Sequence, residues 1–465
     1  MENSLSKEQS SIADRSLISL TLPIFVDLFF IFMISVTDAW FLSQISDNAA
    51  AAVGAMLPIL GIGFALYSTI QQAGSSIATQ KLGAKDYQSV AGTYGVLILL
   101  ILFSGLCMTV TFVSGADIFP AILGLTGELS SVAQTYLTTL GMGTWILALR
   151  FSVTGILASQ GKTNWNMFST AIMSVANILF NYILIDGKFG APAMGVQGIA
   201  TASVIAWSLS LLFSLSIILW HFKIEIYFPI HWKLFKSFCR PILKIAIPSI
   251  VEPLSWQLTQ LLMTTMVVMM GTLSLATRIY SFNLLFIGIL YGFAISGGVQ
   301  IKVAFLIGAN RFDDAQNELL KGIKIGVVGV LIFMTILVSY SHYFYSFFTD
   351  NKEIWALGST VLLIGFIGEL GRPFNLIVGA SLRACGDARY TSIIGFISMW
   401  FIAVPLAWYF GLHLAWGLVG VWFAASIDEV FRGMSNMHRW NTKKWQSKGL
   451  YAEANKKRLN FNNKF

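Results

Sequence analysis

Apolar runs of 18 residues or more, each poor in charge, recur along the whole chain, and short polar stretches separate them. A run of that length crosses a hydrocarbon core about 30 Å thick as one helix. Leu97 to Phe112 and Val327 to Ser339 lie at the centres of two such runs. The polar punctuation predicts twelve spans, near residues 17–42, 50–78, 90–114, 132–157, 166–186, 196–221, 242–269, 274–304, 323–348, 355–381, 391–411 and 414–437. The expected fold class is an all-α membrane protein with twelve transmembrane helices.

The chain also repeats itself. A shift of 225 residues takes Pro23 to Pro248, Asp27 to Glu252, Gly83 to Gly308 and Gly161 to Gly386. Further on the shift becomes 222, taking Gly195 to Gly417 and Gly198 to Gly420. Single glycine matches are common in apolar sequence, but a sustained register that includes a Pro-x-x-x-acid match is specific. Each half holds six spans, so the halves are two parallel six-helix repeats about an axis along the membrane normal. The expected organisation is an N-terminal segment over 1–16, an N-lobe over 17–222, a linker over 223–241, a C-lobe over 242–438 and a basic tail over 439–465. In proteins built this way the cavity commonly lies between the halves, near the membrane midplane.

Composition supports the membrane reading. The chain is 56% hydrophobic and 11% charged, whereas a soluble domain carries roughly a quarter charged residues. The net charge of +8 does not point to nucleic acid, because many of the positive charges sit in short loops and in the tail. Predicted inner loops hold Lys81, Lys85, Lys162, Lys223, Lys233, Lys236, Arg240, Lys244, Arg311, Arg383 and Arg389; predicted outer loops hold only Lys188 and Lys352. That asymmetry places both termini in the cytoplasm, and the surplus also attracts anionic lipid; the expected location is the plasma membrane, the inner membrane of a bacterium. Cys107, Cys239 and Cys385 form no CxxC pair, so neither a disulfide framework nor a metal site is indicated, and Cys239 is expected in a basic loop. The polar start of the chain lacks a cleavable-signal pattern, and the first span reads as a retained anchor.

Charges inside spans narrow the chemistry, since each costs about 2.5–3.5 kcal/mol to insert. Asp27 and Asp38 lie in the first span and Glu252 in the seventh; Asp27 follows Pro23 by four residues and Glu252 follows Pro248 by four. Proline interrupts the helix ladder near each acid and releases carbonyls able to face a cation. Burial disfavours the charged form of an isolated carboxylate, the condition for taking up a proton at one face and losing it at the other. The basic residues counted inside spans are Arg150, Arg278 and Arg372; Glu369 and Arg372, three apart, read as a self-neutralising pair. Asn177 and Asn181 share a helix face, Arg150 and Asn375 are equivalent under the repeat, and Gln257 and Gln260 are weaker polar candidates beside Gln71 and Gln72. No P-loop, HExxH or GxSxG motif occurs, and the five histidines fall near span ends, so an enzyme or an ATP-driven pump is not indicated.

Taken in order, LPIFVDLFFIFMISVTD, DNAAAAVGAMLPI, KLGAKD, ILASQGKTN and NILFNYILIDGKFGAPAMGVQGIATAS, then LATRIYSFN, GANRFDDA and SLRACGDARY, resemble the multidrug and toxic compound extrusion (MATE) transporters from about residue 14 to 437. The resemblance implies a V-shaped bundle of two six-helix lobes that exports organic cations, drugs or other amphipathic solutes in exchange for protons or sodium ions, as a monomer and without a cofactor. By position, Asp38 matches the family's first-span acid and Asn177 its fifth-span asparagine. Asn181 falls where one branch has a coupling aspartate, so that site is altered here. Another branch couples through a seventh-span glutamate and a tenth-span aspartate. Glu252 lies about one turn nearer the proline than that glutamate, and Arg372 falls near the aspartate position, where it stands as a built-in cation and argues against a sodium site of that type.

The resulting expectation is coupling by Asp27, Asp38 and Glu252, with protons favoured over sodium. Asn177, Asn181, Arg150, Gln257, Arg278, Glu369, Arg372 and Asn375 line the solute path. The alternative is a flippase for a lipid-linked sugar or other lipid, for which Arg150, Arg278 and Arg372 would hold phosphate.

Overall fold

The structure is a computed structural model and describes residues 12–450. The first eleven residues and the tail from Tyr451, with Lys456, Lys457, Arg458 and Lys464, lie outside the described residues. The first half contains α1 (Leu17–Ile45), α2 (Asp47–Gly83), α3 (Tyr87–Ser114), α4 (Gly127–Ser159), α5 (Thr163–Leu184) and α6 (Val196–His221). The second contains α7 (Val251–Val268), α8 (Thr272–Gly308), α9 (Phe312–Ser339), α10 (Lys352–Ala384), α11 (Ala388–His413) and α12 (Leu418–Asn441).

Ten of the twelve are long and apolar enough to cross a membrane. The other two, α7 and α12, fail on polarity. Glu252, Gln257, Gln260 and three threonines dilute α7, while Asp428, Glu429 and Arg432 dilute α12. Neighbouring helices shield both. Met263 and Val267 of α7 join Val421 and Trp422 of α12 in one buried cluster with Leu285, Val330 and Val361.

The internal repeat is written in the helix ends. Shifting α2, α3 and α4 by 225 residues lands on both ends of α8, α9 and α10. Backbone strain repeats as well. Lys85 and Asn310 both have φ of 61°, Gly161 and Gly386 have 69° and 88°, and Gly195 and Gly417 have 52° and 61°. Positive φ is costly for residues with a Cβ, which is why glycine stands at two of these three matched positions.

Three expectations need correction. First, proline does not act alike in the two halves. α1 runs unbroken through Pro23, whereas the helix Trp232–Ser249, which holds Pro248, is separated from α7 by Ile250 alone. Second, the 223–241 linker is only partly a loop. Its first part lies along α3, where Tyr227 N–H donates to the Ala91 carbonyl at 3.0 Å. A Cβ on Gly95 would stand 2.0 Å from the Tyr227 oxygen, so glycine is required there. From Trp232 the linker is helical, and Cys239 is buried in that helix rather than in a loop. Third, the start of the tail is packed. Trp440 and Trp445 stack at 4.2 Å, both almost fully buried, and Trp445 Nε1 donates to the Trp440 carbonyl.

The chain forms two compact units. One comprises Leu22–Leu82 and Asp86–Leu243; the other comprises the chain from Lys244 with Gly83–Lys85 and the residues before Leu22. Within the second unit α10 and α12 pack closely because α10 presents Gly365, Gly368 and Gly371 at three-residue spacing. A Cβ on Gly365 would lie 2.9 Å from Trp422 Nε1, and one on Gly368 or Gly371 would lie 2.9 Å from the Cα of Ser426 or Val430. This glycine stripe sets the distance between the charged residues that follow it on both helices.

Candidate functional site

In the first unit, α1 presents two carboxylates to two separate polar groups. Asp38 Oδ1 accepts a 2.7 Å hydrogen bond from Asn181 Nδ2 on α5. The same amide nitrogen donates to Asn177 Oδ1 at 3.2 Å, and Asn177 Nδ2 donates to Ser203 Oγ of α6 at 3.3 Å. Asn177 and Asn181 are fully buried, and Asn181 Oδ1 has no protein partner. The four-residue spacing on α5 puts both amides on one face, and the face is turned to α1.

Asp27 lies near Arg150 of α4 and Thr170 of α5. Its Oδ1 is buried with no hydrogen-bond partner. Arg150 is itself engaged: Nη2 donates to Thr170 Oγ1 at 2.5 Å and Nε to Ser210 Oγ of α6 at 2.7 Å. Ser169 continues this hydroxyl cluster to Ser210 at 2.6 Å and to Ser214 at 2.7 Å. Neither Asp27 nor Asp38 forms a salt bridge among the described residues.

The second unit is built differently. There the carboxylates and guanidiniums form one connected chain. Arg372 grips Glu369 through two bonds of 2.8 and 2.7 Å and reaches Glu429 at 3.8 Å. Arg432 bridges Glu429 at 2.8 Å, Asp428 at 2.7 Å and Glu252 at 3.6 Å. Glu252 also accepts from Arg383 Nη1 at 2.9 Å, and Gly395 of α11 leaves room for it, since a Cβ there would lie 3.2 Å from Glu252 Cγ. Asn375 Nδ2 donates to Glu429 Oε1 at 2.9 Å, and Asn375 Oδ1 accepts from Asn436 Nδ2 at 3.1 Å. Ser398 donates to Asp428. Asn375 and Ser398 both lie in wide π-helical turns of α10 and α11, which rotate side chains out of the ordinary helical register.

Beside this chain is a cavity of about 70 Å³, room for several waters or a small group. Gln260, Arg278, Glu369, Arg372, Trp422 and Glu429 are among its walls. Arg278 Nη2 donates to Gln260 Oε1 at 2.7 Å. Gln257 is half-buried on α7 and does not line this cavity; Gln260, three residues on, does.

The sequence reading missed the α12 charges. Asp428, Glu429, Arg432 and Asn436 all fall within the span drawn over 414–437, at spacings of three and four that put them on one helix face. The spacing itself was the available signal. Counting three basic residues inside spans also omitted Lys302 of α8, which donates to the Arg15 carbonyl at 2.8 Å and bridges Glu318 at 3.0 Å.

The MatE family pattern matches residues 23–183 and 248–409, one match in each half. The chain is 34% identical over 436 residues to the uncharacterized transporter YisQ of Bacillus subtilis, covering 94% of this chain and 96% of that one. It is 23% identical to the probable multidrug resistance protein NorM of Thermotoga maritima, over 98% of each. A solved outward-facing conformation of a multidrug resistance MATE family transporter of the MOP superfamily superposes with a TM-score of 0.84 at 20% identity, covering 93% of this chain and 95% of that one. The twelve-helix, two-repeat fold is therefore that of a MATE transporter. This chain belongs to the MatE family of multidrug efflux transporters.

Proposed function

We propose that the chain exports organic cations or other amphipathic solutes across the plasma membrane in exchange for protons, working as a monomer with both termini in the cytoplasm. The observation that carries this reading is the contrast between the two units. Asp27 and Asp38 are buried or half-buried acids with no salt bridge, whereas Glu252 is held by Arg383 and Arg432. Asp38, held by neutral amides, changes its charge by taking up a proton with no ion pair to break first, and Asp27, though near Arg150, makes no salt bridge with it. Asp27 and Asp38 are then the proton carriers, and Glu252 holds α7 to α10 and α12.

Proton uptake at the outer face and release at the inner face supplies the energy for solute export in the opposite sense. Alternating access needs a bistable body whose equilibrium both ligands bias. The repeat supplies two such units, each with its own polar centre.

Protons suit the Asp38 centre better than sodium. Asp38 Oδ1 faces an amide N–H, a donor, and a bare cation needs a shell of oxygen acceptors. The lipid-flippase reading is less favoured, because Arg372 is engaged by Glu369 and Arg150 by Thr170 and Ser210, which leaves Arg278 alone of the three without a carboxylate or hydroxyl partner among the described residues.

The test is solute-induced dissipation of an imposed pH gradient in proteoliposomes, with an imposed sodium gradient as the parallel arm. The expected result is loss of the pH gradient on addition of an organic cation, abolished by Asp27→Asn or Asp38→Asn. Dissipation of the sodium gradient alone, or wild-type rates in both amide variants, overturns the reading.

A further inference from the structure

The connected charges of the second unit do not balance. Glu252, Glu369, Asp428 and Glu429 contribute four carboxylates, and Arg372, Arg383 and Arg432 three guanidiniums. Each carboxylate touches a guanidinium, but the sum leaves one formal negative charge in excess. In a low-dielectric surrounding an uncompensated charge is strongly disfavoured, so the excess attracts either a proton or a further cation. The cavity adjoins this chain at Glu369 and Glu429.

The missing cation is across the cavity. Arg278 of α8 bridges no carboxylate among the described residues. It donates to the neutral Gln260, and its guanidinium carbon lies 5.9 Å from the ring centroid of Trp422. A guanidinium over an indole face, with carboxylates at hand, is the arrangement by which proteins hold the cationic heads of organic ligands. Here the protein's own side chain takes that place.

We propose that the second-unit cavity binds the cationic head of an exported solute, a guanidinium or alkylammonium group, and that Arg278 is a tethered competitor for the same place. Trp422 offers its ring face, Gln260 its carbonyl oxygen, and Glu369 with Glu429 the negative field. A solute head that enters displaces Arg278 and takes over compensation of the excess carboxylate. The groups that meet a cation lie together at Gln260, Glu369, Trp422 and Glu429, so selection acts on the charged end of a solute and tolerates variety in the remainder. Competition by Arg278 lowers apparent affinity by the fraction of time the place is taken, which favours release after transport.

This inference rests on the export of organic cations proposed above, and a binding measurement separates the two. The purified full chain in lipid nanodiscs is titrated with radiolabelled methylguanidinium. Arg278→Met is expected to raise apparent affinity about tenfold, as removal of a competitor that holds the place nine-tenths of the time would. Adding Trp422→Leu to that variant is expected to cancel the gain. Where the methionine variant does not fold, Arg278→Gln reads the same competition, because it removes the charge but keeps a hydrogen-bonding partner for Gln260. Raised affinity in the glutamine variant supports the proposal and unchanged affinity overturns it. Unchanged or weaker binding in Arg278→Met overturns it, as does chloride or acetate binding to the wild type that the substitution abolishes, which would make Arg278 an anion site. A wild type that dissipates no pH gradient while Arg278→Met still gains affinity overturns only the export reading. A wild type that transports while Arg278→Met gains nothing overturns only this inference.

Discussion

Asn181 Nδ2 and Asp38 Oδ1 meet at 2.7 Å across 143 residues of sequence, tying α5 to α1. Asn181→Ala removes the donor and leaves Asp38 with Asn177. The expected cost is about 1–2 kcal/mol, given the modest worth of interhelical hydrogen bonds in lipid. Thermal unfolding in detergent measures it. The pH dependence of transport is expected to move as well, because the donor that favours ionised Asp38 is gone. An unmoved pH profile would separate the amide from the coupling chemistry.

The acids of the two units are expected to fail differently. Asp38→Asn keeps the protein folded and removes the proton-carrying group, so gradient-driven efflux drops by about two orders of magnitude or more while solute binding persists. Glu252→Gln keeps an acceptor for Arg383 but unbalances Arg432, so its main effect is on stability. Arg432→Leu is the severe case: it strands Asp428, Glu429 and part of Glu252 and is expected to cost about 3–5 kcal/mol. Yield of monodisperse protein and unfolding temperature rank the three.

Gly368→Ala tests the glycine stripe. Its Cβ would press to 2.9 Å on the Ser426 backbone, forcing α10 from α12 at an expected cost of about 1–3 kcal/mol. Gly54 of α2 has nothing within 4 Å of a built Cβ, so Gly54→Ala is expected to be neutral, or stabilising by up to about 1 kcal/mol. Equal unfolding temperatures for the two variants would show that the stripe does not govern this packing.

The duplication predicts matched responses to backbone strain. Gly195 (φ 52°, ψ −127°) and Gly417 (φ 61°, ψ −141°) cap α6 and α12 in a region that glycine alone adopts readily. Alanine at either site is expected to destabilise its unit by about 1–3 kcal/mol, and by similar amounts. Nothing lies within 4 Å of a built Cβ at either residue, so the effect isolates conformation from packing. Unfolding followed by fluorescence for each variant gives the comparison.

Sequence alone determined the span pattern and the register of the repeat, while the helix ends that the 225-residue shift superposes came from the structure. Both are set locally, by apolar length against bilayer thickness and by glycines at positive φ, so each can be read without knowing what a helix packs against. Sequence also disclosed which residues are expensive in a membrane, although the charges of α12, inside the span expected over 414–437, were not among them. Tertiary structure decided how those residues are held. Arg432 lies three and four residues from Glu429 and Asp428, a spacing visible in sequence, but its reach to Glu252 depends on α7 and α12 being brought together. The same holds for Asp38 and Asn181. Their chemistry was legible one residue at a time, but a carboxylate acts differently beside an amide than between two arginines. That difference depends on distances of a few ångströms, which helix packing sets and no single span encodes.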